Sequence, residues 1–404
     1  MNKTSAISPV AMMKLFWKHA RHPWIARRLA ALQSEKWKFN VFGPGGVGGE
    51  ADRIRQFSMR ITDVCNLRCI MCGQWGENGF LANSNIAELK KNEVKPERYI
   101  ELLDDLKRHG HTPTVYIWGG EPMLYPGTLD IIRHASKLGM PSAIATNGTK
   151  LSAAADAFAQ APLYLMQVSI DGHNSALHNA IRRSPSGSDT FGEIMTGLEA
   201  VHEARARTGG GLPIVASLTT ISRENHQHLV DIYERISPHA DLLVFYLSWW
   251  IDEKSATAHE MDYERRFGAK PTLHRGWIGG WRPNDYAVID AQLKELQVRS
   301  IKKGLPPAII IPSVQGQDNL RAYYTDHDNT FGFNRCISIY QAVEIDSNGD
   351  MSPCRDYHDY IVGNVKDHTV LELWNSPRYK AFRDNLTREG LMPACTRCCG
   401  LMGY

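Results

Sequence analysis

Cys65-Asn66-Leu67-Arg68-Cys69-Ile70-Met71-Cys72 is the stretch on which the reading of this chain turns. It sets three cysteines at C-x3-C-x2-C spacing, just after the extended run Phe57-Ser58-Met59-Arg60-Ile61-Thr62. Three soft thiolates in one short loop can converge on one metal centre, and iron–sulfur clusters and zinc are the usual occupants. Three ligands leave a 4Fe–4S cluster with one iron uncovered by protein, open to a small molecule. On spacing alone, a zinc knuckle or incidental buried thiols is the alternative.

Three further motifs follow: Gly119-Gly120-Glu121-Pro122, Thr146-Asn147-Gly148 and Val168-Ser169-Ile170-Asp171-Gly172. With the cysteine loop, and in this order, they resemble the motifs of the radical S-adenosylmethionine (SAM) superfamily over residues 55–250. One departure is Met71, where the family often has an aromatic residue; a soft thioether can still pack beside a cofactor. The resemblance implies an enzyme that cleaves SAM reductively to a 5′-deoxyadenosyl radical, which takes hydrogen from an unactivated carbon. It implies that Cys65, Cys69 and Cys72 hold the reactive 4Fe–4S cluster. Gly119 and Gly120 allow close backbone approach, and by resemblance the strand edge there meets the methionyl amino group, with Glu121 nearby. Ser169 and Asp171 end a strand where small polar groups reach ribose or carboxylate. His178-Asn179-Ala180-Ile181-Arg182 resembles the family's His-Asp-x-x-Arg segment, so Arg182 is expected to pair with the SAM carboxylate. Asn179 stands where the family has Asp, which leaves Arg183 as the fallback.

Composition sets the bounds. A chain of 404 residues, 43% hydrophobic and 22% charged, has material for two or three domains and a sizeable core. A net charge of +3 gives no argument for nucleic acid. The sequence shows neither an apolar run of membrane-span length nor the pattern of a secretory signal, and a cytoplasmic location is expected. All eight cysteines fall into two groups, which speaks for metal centres rather than a disulfide framework.

From residue 57 the chain alternates strands (57–62, 114–118, 141–146, 163–170, 213–221, 242–248) with helices (96–109, 127–138, 151–159, 190–207, 224–236). The fold class expected is α/β, a partial (β/α)6 radical-SAM barrel with a C-terminal twitch/SPASM-like auxiliary cluster domain. Every motif sits at a strand's C-terminal end, where such barrels carry their sites. Residues 1–50 form an N-terminal basic helical extension and linker. There Val10, Met13, Phe16 or Trp17, Ala20 and Trp24 recur at near-helical spacing between basic residues. This is a packing helix with a solvated basic face or one touching anionic lipid at the membrane surface. Phe42 to Gly49 is a glycine-rich linker, lacking the Lys-Ser/Thr ending of a phosphate loop. The barrel spans 51–250. Residues 251–330 are a connector or a cover for the barrel, with Trp249, Trp250, Trp277 and Trp281 as candidate substrate contacts and a helix at 285–303.

Residues 331–404 bear the second cysteine group. Glu344 to Met351 reads as a hairpin turning at Asn348-Gly349, and a helix is expected from Val370 to about Leu386. Cys336, Cys354, Cys395 and Cys398, with Gly349 and Leu373-Trp374-Asn375-Ser376-Pro377, resemble SPASM/twitch auxiliary domains. Their count favours one auxiliary 4Fe–4S cluster, two clusters in all, with Cys399 as alternative ligand to Cys398 and zinc as the competing occupant. Asp356, two residues after Cys354, is a candidate proton acceptor. The function expected is hydrogen abstraction leading to oxidation. A small or sugar-like metabolite is favoured over a peptide as substrate, and a flavodoxin or ferredoxin is expected as electron donor. Epimerisation is an alternative outcome, and a non-catalytic electron carrier is the alternative class.

Overall fold

The computed structural model describes residues 13–14, 23–43, 47–161, 163–209, 211–356 and 358–402. Apart from Met13, Lys14 and the backbone at Trp24, the pattern expected from Val10 to Trp24 lies outside the described residues, as do residues 44–46 of the linker and the side chain of Cys399.

Ten strands make one sheet. In chain order they are β1 (Gln56–Thr62), β2 (Thr114–Gly119), β3 (Ser142–Thr146), β4 (Leu165–Ser169), β5 (Ile214–Ile221), β6 (Leu242–Leu247), β7 (Ala308–Ile311), β8 (Ala342–Ile345), β9 (Asp350–Ser352) and β10 (Gly363–Asn364). The order across the sheet is β10-β9-β8-β1-β2-β3-β4-β5-β6-β7. Pairing is parallel from β8 through β7, and β9 and β10 add antiparallel at one edge. The six expected barrel strands are therefore extended on both sides. The Ile309-Ile310-Ile311 run, β-branched and suited to a pleated surface, forms β7 beside β6. The C-terminal hairpin enters next to β1, with Ser58 opposite Glu344.

Alternation along the strands separates two environments. Phe57, Met59 and Ile61 are fully buried and pack among apolar residues of the helices, while Ser58, Arg60 and Thr62 point to the opposite face. That face is polar on neighbouring strands as well, with Tyr116 and Trp118 on β2 and Gln167 and Ser169 on β4. Trp118 Nε1 donates to Ser58 Oγ at 2.9 Å. Tyr116 Oη donates to Gln167 Oε1 at 2.9 Å, passing over β3. Small residues permit this crossing, because the positions opposite Tyr116 and Gln167 on β3 are Ala143 and Ala145. The sheet thus curls round a polar lumen, with its apolar face turned to the helices.

The helices at Pro96–Arg108, Thr128–Lys137, Leu151–Gln160 and Thr190–Thr208 lie close to their expected spans. Three segments differ. The helix expected at 224–236 begins at Leu229, because Asn225 first closes a tight loop by accepting from Ser222 N at 2.7 Å. The helix expected from Val370 breaks into Val370–Trp374 and Pro377–Glu389. Proline disfavours helical backbone at the residue before it, and Ser376 instead caps the second helix through Tyr379 N. Residues 251–330 hold two further α-helices, Glu253–Phe267 and Gln317–Thr325, and a 3-10 turn at Leu273–Trp277, besides the expected helix at Tyr286–Ile301. Among the described residues no helix is long and apolar enough to cross a membrane.

One buried cation clasps the C-terminal region to the chain before β1. Arg383 is fully buried, with its guanidinium 4.0 Å from the Trp374 ring and 3.9 Å from that of Tyr379. It donates to Ile339 O, Gly49 O, Trp374 O and Asn375 Oδ1. Truncating it strands buried carbonyls and empties a large volume. Arg383→Ala is expected to cost about 3 kcal/mol and to lower the thermal midpoint of the anaerobic, cluster-loaded protein. An unchanged midpoint would remove the clasp from this account.

Candidate metal and cofactor site

Because β1 to β4 run parallel, their C-terminal ends share one rim, and all four sequence motifs meet there. The tip of β2 docks on the chain that leads into the cysteine loop. Gly120 N donates to Thr62 O and Glu121 N to Val64 O, both at 2.8 Å. A Cβ at Gly119 would sit 2.3 Å from Thr62 O, and one at Gly120 2.3 Å from Val64 O. Gly119 also has φ +145°, a conformation costly for other residues. Glycine is thus required twice, by contact with backbone that cannot give way.

Glu121 is fully buried and works as a staple. Oε1 accepts from Met123 N at 3.0 Å and Thr146 Oγ1 at 2.7 Å, and Oε2 accepts from Asn147 N at 2.7 Å. Burial raises its pKa, against the pull of those donors. Asn147 donates to Asn66 Oδ1 at 2.8 Å and places Nδ2 4.0 Å from Cys65 Sγ. The Gly-Gly-Glu-Pro and Thr-Asn-Gly motifs are therefore joined to each other and to the loop.

Arg182 reaches the loop by backbone pairing. Arg68 and Cys69 form a short antiparallel ladder with Arg183 and Arg182, placing Cys69 opposite Arg182. Arg182 Nε donates to Asp171 Oδ2 at 2.6 Å, and Nη1 lies 3.8 Å from Cys69 Sγ. Arg183 turns outward and caps Ala180 O at 3.3 Å. Asp171 is fully buried, and its Oδ1 accepts from Thr220 N at 2.7 Å. Burial works against the Arg182 charge, but the Asp171 carboxylate beside it holds the guanidinium above its ordinary pKa. Ser169 is half-buried at the end of β4. Asn179 accepts from Thr190 Oγ1 at 2.7 Å and Phe191 N at 3.1 Å, anchoring the segment that carries Arg182.

Several residues at this rim carry no motif. Asp63 pairs with Arg60 at 2.8 Å and accepts from Ser347 Oγ at 2.7 Å. Its carbonyl accepts from Trp75 Nε1 at 2.6 Å, so the cysteine loop is fastened to the β8–β9 turn. Trp277 packs against Gly73, whose Cβ would lie 2.9 Å from the indole. Its Nε1 donates to Asp356 O at 3.2 Å, and Trp249, 5.4 Å away centroid to centroid, donates to Thr396 O at 3.0 Å. Two of the four candidate tryptophans thus bridge the two cysteine regions.

Cys336, Cys354, Cys395 and Cys398 line one cavity of about 230 Å³. Gln56, Tyr116, Gln167 and Tyr246 of the lumen line it too, as do Arg355 and Asp356. Arg355 lies against the faces of Tyr116 and Trp118, at 5.0 and 5.3 Å, and pairs with buried Glu344 at 3.2 Å. Asp356 Oδ2 accepts from the Cys398 thiol at 3.2 Å. Burial raises the Asp356 carboxyl pKa, which Arg355 and Cys398 oppose.

The family model for the Radical SAM superfamily matches residues 59–236, and that for the SPASM iron–sulfur cluster-binding domain matches residues 336–399. The chain thus carries a radical SAM domain followed by a SPASM domain. An AdoMet-dependent heme synthase of Methanosarcina barkeri is 23% identical over 346 residues, spanning 84% of this chain and 88% of that one. A tungsten-containing aldehyde ferredoxin oxidoreductase cofactor-modifying protein of Pyrococcus furiosus is 22% identical over 349 residues, 84% and 86% of the two chains. Two solved structures share the fold. Streptococcus suis SuiB bound to S-adenosylmethionine has a TM-score of 0.56 at 15% identity, covering 82% of this chain and 68% of that one. Native anSMEcpe with bound AdoMet has 0.54 at 17%, covering 81% and 83%.

As a radical SAM enzyme with a SPASM domain, the protein uses SAM and 4Fe–4S clusters, and its donor sets fit them. Burial pushes the Cys65 and Cys395 thiols up to about 12 and Cys69 to about 11, so each needs a bound cation to persist as thiolate at neutral pH. Among the described residues the one His/Cys/Asp/Glu trio with all ligand atoms within 4.8 Å of one another is His173, His228 and Asp231. The cysteine groups are set wider, whereas a single tetrahedral zinc draws its sulfurs to about 3.8 Å. Gly119→Ala should push β2 off Thr62 and disorder only the first group. Iron in the anaerobically reconstituted protein is then expected to fall from about eight to about four per chain. Full iron loading would contradict this role for Gly119.

Proposed function

We propose that this radical SAM enzyme is an oxidoreductase that takes hydrogen from a small, non-peptide substrate and leaves it two electrons more oxidised. The observation that carries the reading is the shared cavity, which puts the four C-terminal cysteines on the same space as the polar lumen. When bound, the cofactors supply a 5′-deoxyadenosyl radical on one side and a one-electron acceptor on the other.

The chain's own residues hold and orient. Cys65, Cys69 and Cys72 hold the first cluster. Cys336, Cys354, Cys395 and Cys398 hold one auxiliary cluster, with Cys399 as the alternative to Cys398. Arg182 receives the SAM carboxylate, and Asp171 acts through it by fixing the guanidinium plane. Gly119 and Gly120 present backbone to the methionyl end, Glu121 keeps that edge in place, and Ser169 faces the nucleoside. Asp356, once Cys398 is engaged as a ligand, turns its carboxylate to the cavity and accepts the substrate proton. Trp277 closes the chamber between the two sites. A flavodoxin or ferredoxin supplies the electron.

The preference for a small substrate draws on the names of the two curated relatives, a heme synthase and a cofactor-modifying protein. SuiB bound to precursor peptide SuiA and anSMEcpe bound to a peptide support a peptide as the second reading.

Anaerobic incubation with SAM and dithionite is the test of the enzyme class. It is expected to yield 5′-deoxyadenosine, and its absence from iron-replete protein would overturn the proposal. Arg182→Lys keeps the charge but loses the paired donors, so the KM for SAM is expected to rise about tenfold or more; an unchanged KM would place the carboxylate elsewhere. Once a substrate is in hand, Asp356→Asn is expected to slow its oxidation by about 10²–10⁴ while 5′-deoxyadenosine still forms. Equal loss of both products would deny Asp356 the role of base.

A further inference from the structure

The segment before β1 is charged unlike the rest of the chain. Residues 1–42 carry eight Lys and Arg against the single acidic residue Glu35, although the whole chain is only +3. The described helix Pro23–Phe42 is held to the body by one side. Phe39 is buried and meets Tyr340 at 5.8 Å between centroids, while Glu35 pairs with Arg55 and accepts from Gln341 Nε2.

The opposite side is open. Arg27, Ala30, Ala31, Ser34, Trp37, Lys38, Val41 and Phe42 are exposed and recur at helical spacing, so they form one face. Its C-terminal half is apolar where a solvated face would be polar. Trp37 is 60% exposed, Val41 54% and Phe42 74%. The Trp37 and Phe42 rings meet edge to face at 5.9 Å, giving an aromatic knob with Lys38 beside it. Lys14 turns instead to the body of the protein, where its ammonium donates to Ser300 O, Lys302 O and Leu305 O.

We propose that this face is a docking surface for an anionic lipid bilayer, with Trp37, Val41 and Phe42 entering the headgroup boundary and Arg27 and Lys38 drawn to acidic lipid. Aromatic rings favour that boundary, and each Lys or Arg near an anionic surface adds attraction of about 1 kcal/mol. Charge complementarity selects this partner over neutral membranes. The exposed aromatic knob selects it over a purely polar polyanion. The inference stands apart from the reaction proposed above.

The test is flotation of the anaerobically reconstituted full chain with vesicles of phosphatidylcholine, alone or with phosphatidylserine at about one lipid in four. The protein is expected to float with the mixed vesicles and far less with phosphatidylcholine alone. Salt at about 0.5 M should release it. The double variant Trp37→Ser/Phe42→Ser removes only exposed side chains and should keep its iron content while losing at least about tenfold in bound fraction. Lys38→Glu should weaken binding to mixed vesicles alone. No flotation of the wild type, binding untouched by the double variant, or displacement of the vesicles by an equal charge of RNA would each overturn the proposal.

Discussion

The contact between the Gly119-Gly120 tip of β2 and the carbonyls of Thr62 and Val64 is the constraint on which the site depends. It fixes where the cysteine loop leaves β1, and everything else at the rim is referred to that point. Glu121 passes the position to Thr146 and Asn147, and Asn147 passes it back to Asn66 in the loop. The ladder between Cys69 and Arg182 closes the circle from the far side. A ring of short backbone and buried side-chain bonds gives the loop a defined shape, so three thiols can be presented as a set.

Burial of charge is the cost of this arrangement, and the pairing shows how it is met. Asp171 is fully buried and Arg182 mostly so, but both carboxylate oxygens and the guanidinium have partners. Glu344 and Arg355 repeat the device elsewhere in the lumen, with two aromatic faces beside the cation. Isolated, either carboxylate would be strongly destabilising; paired and hydrogen-bonded, each becomes a fixed dipole facing the chamber. The lumen is therefore a polar space whose charged groups are held in place by their partners.

Much of the α/β frame was legible because the strands are short apolar runs bounded by turns, and the helices have a clear period. The two cysteine groups were legible because thiols are rare and were not scattered. Contacts between distant segments were not. Nothing local in Ala342–Ile345 says that it pairs with β1, and nothing local in Ala143 and Ala145 says that Tyr116 and Gln167 meet over them. The resemblance favours Arg182 over its neighbour Arg183, and the pairing with Cys69 and the contact with Asp171 separate the two in space. The helix break at Ser376 was available from Pro377 and outweighs the apolar period of the surrounding residues. Trp277 stood among four candidate tryptophans, and only its contacts with Gly73 and Asp356 single it out.

The central claim is that Cys65, Cys69 and Cys72 leave one metal position free for SAM to occupy. The most direct measurement is the electron paramagnetic resonance spectrum of the reduced, iron-replete protein before and after SAM is added. The account predicts that one of the cluster signals changes shape on addition while the auxiliary signal stays as it was. Superimposable spectra at saturating SAM would contradict it.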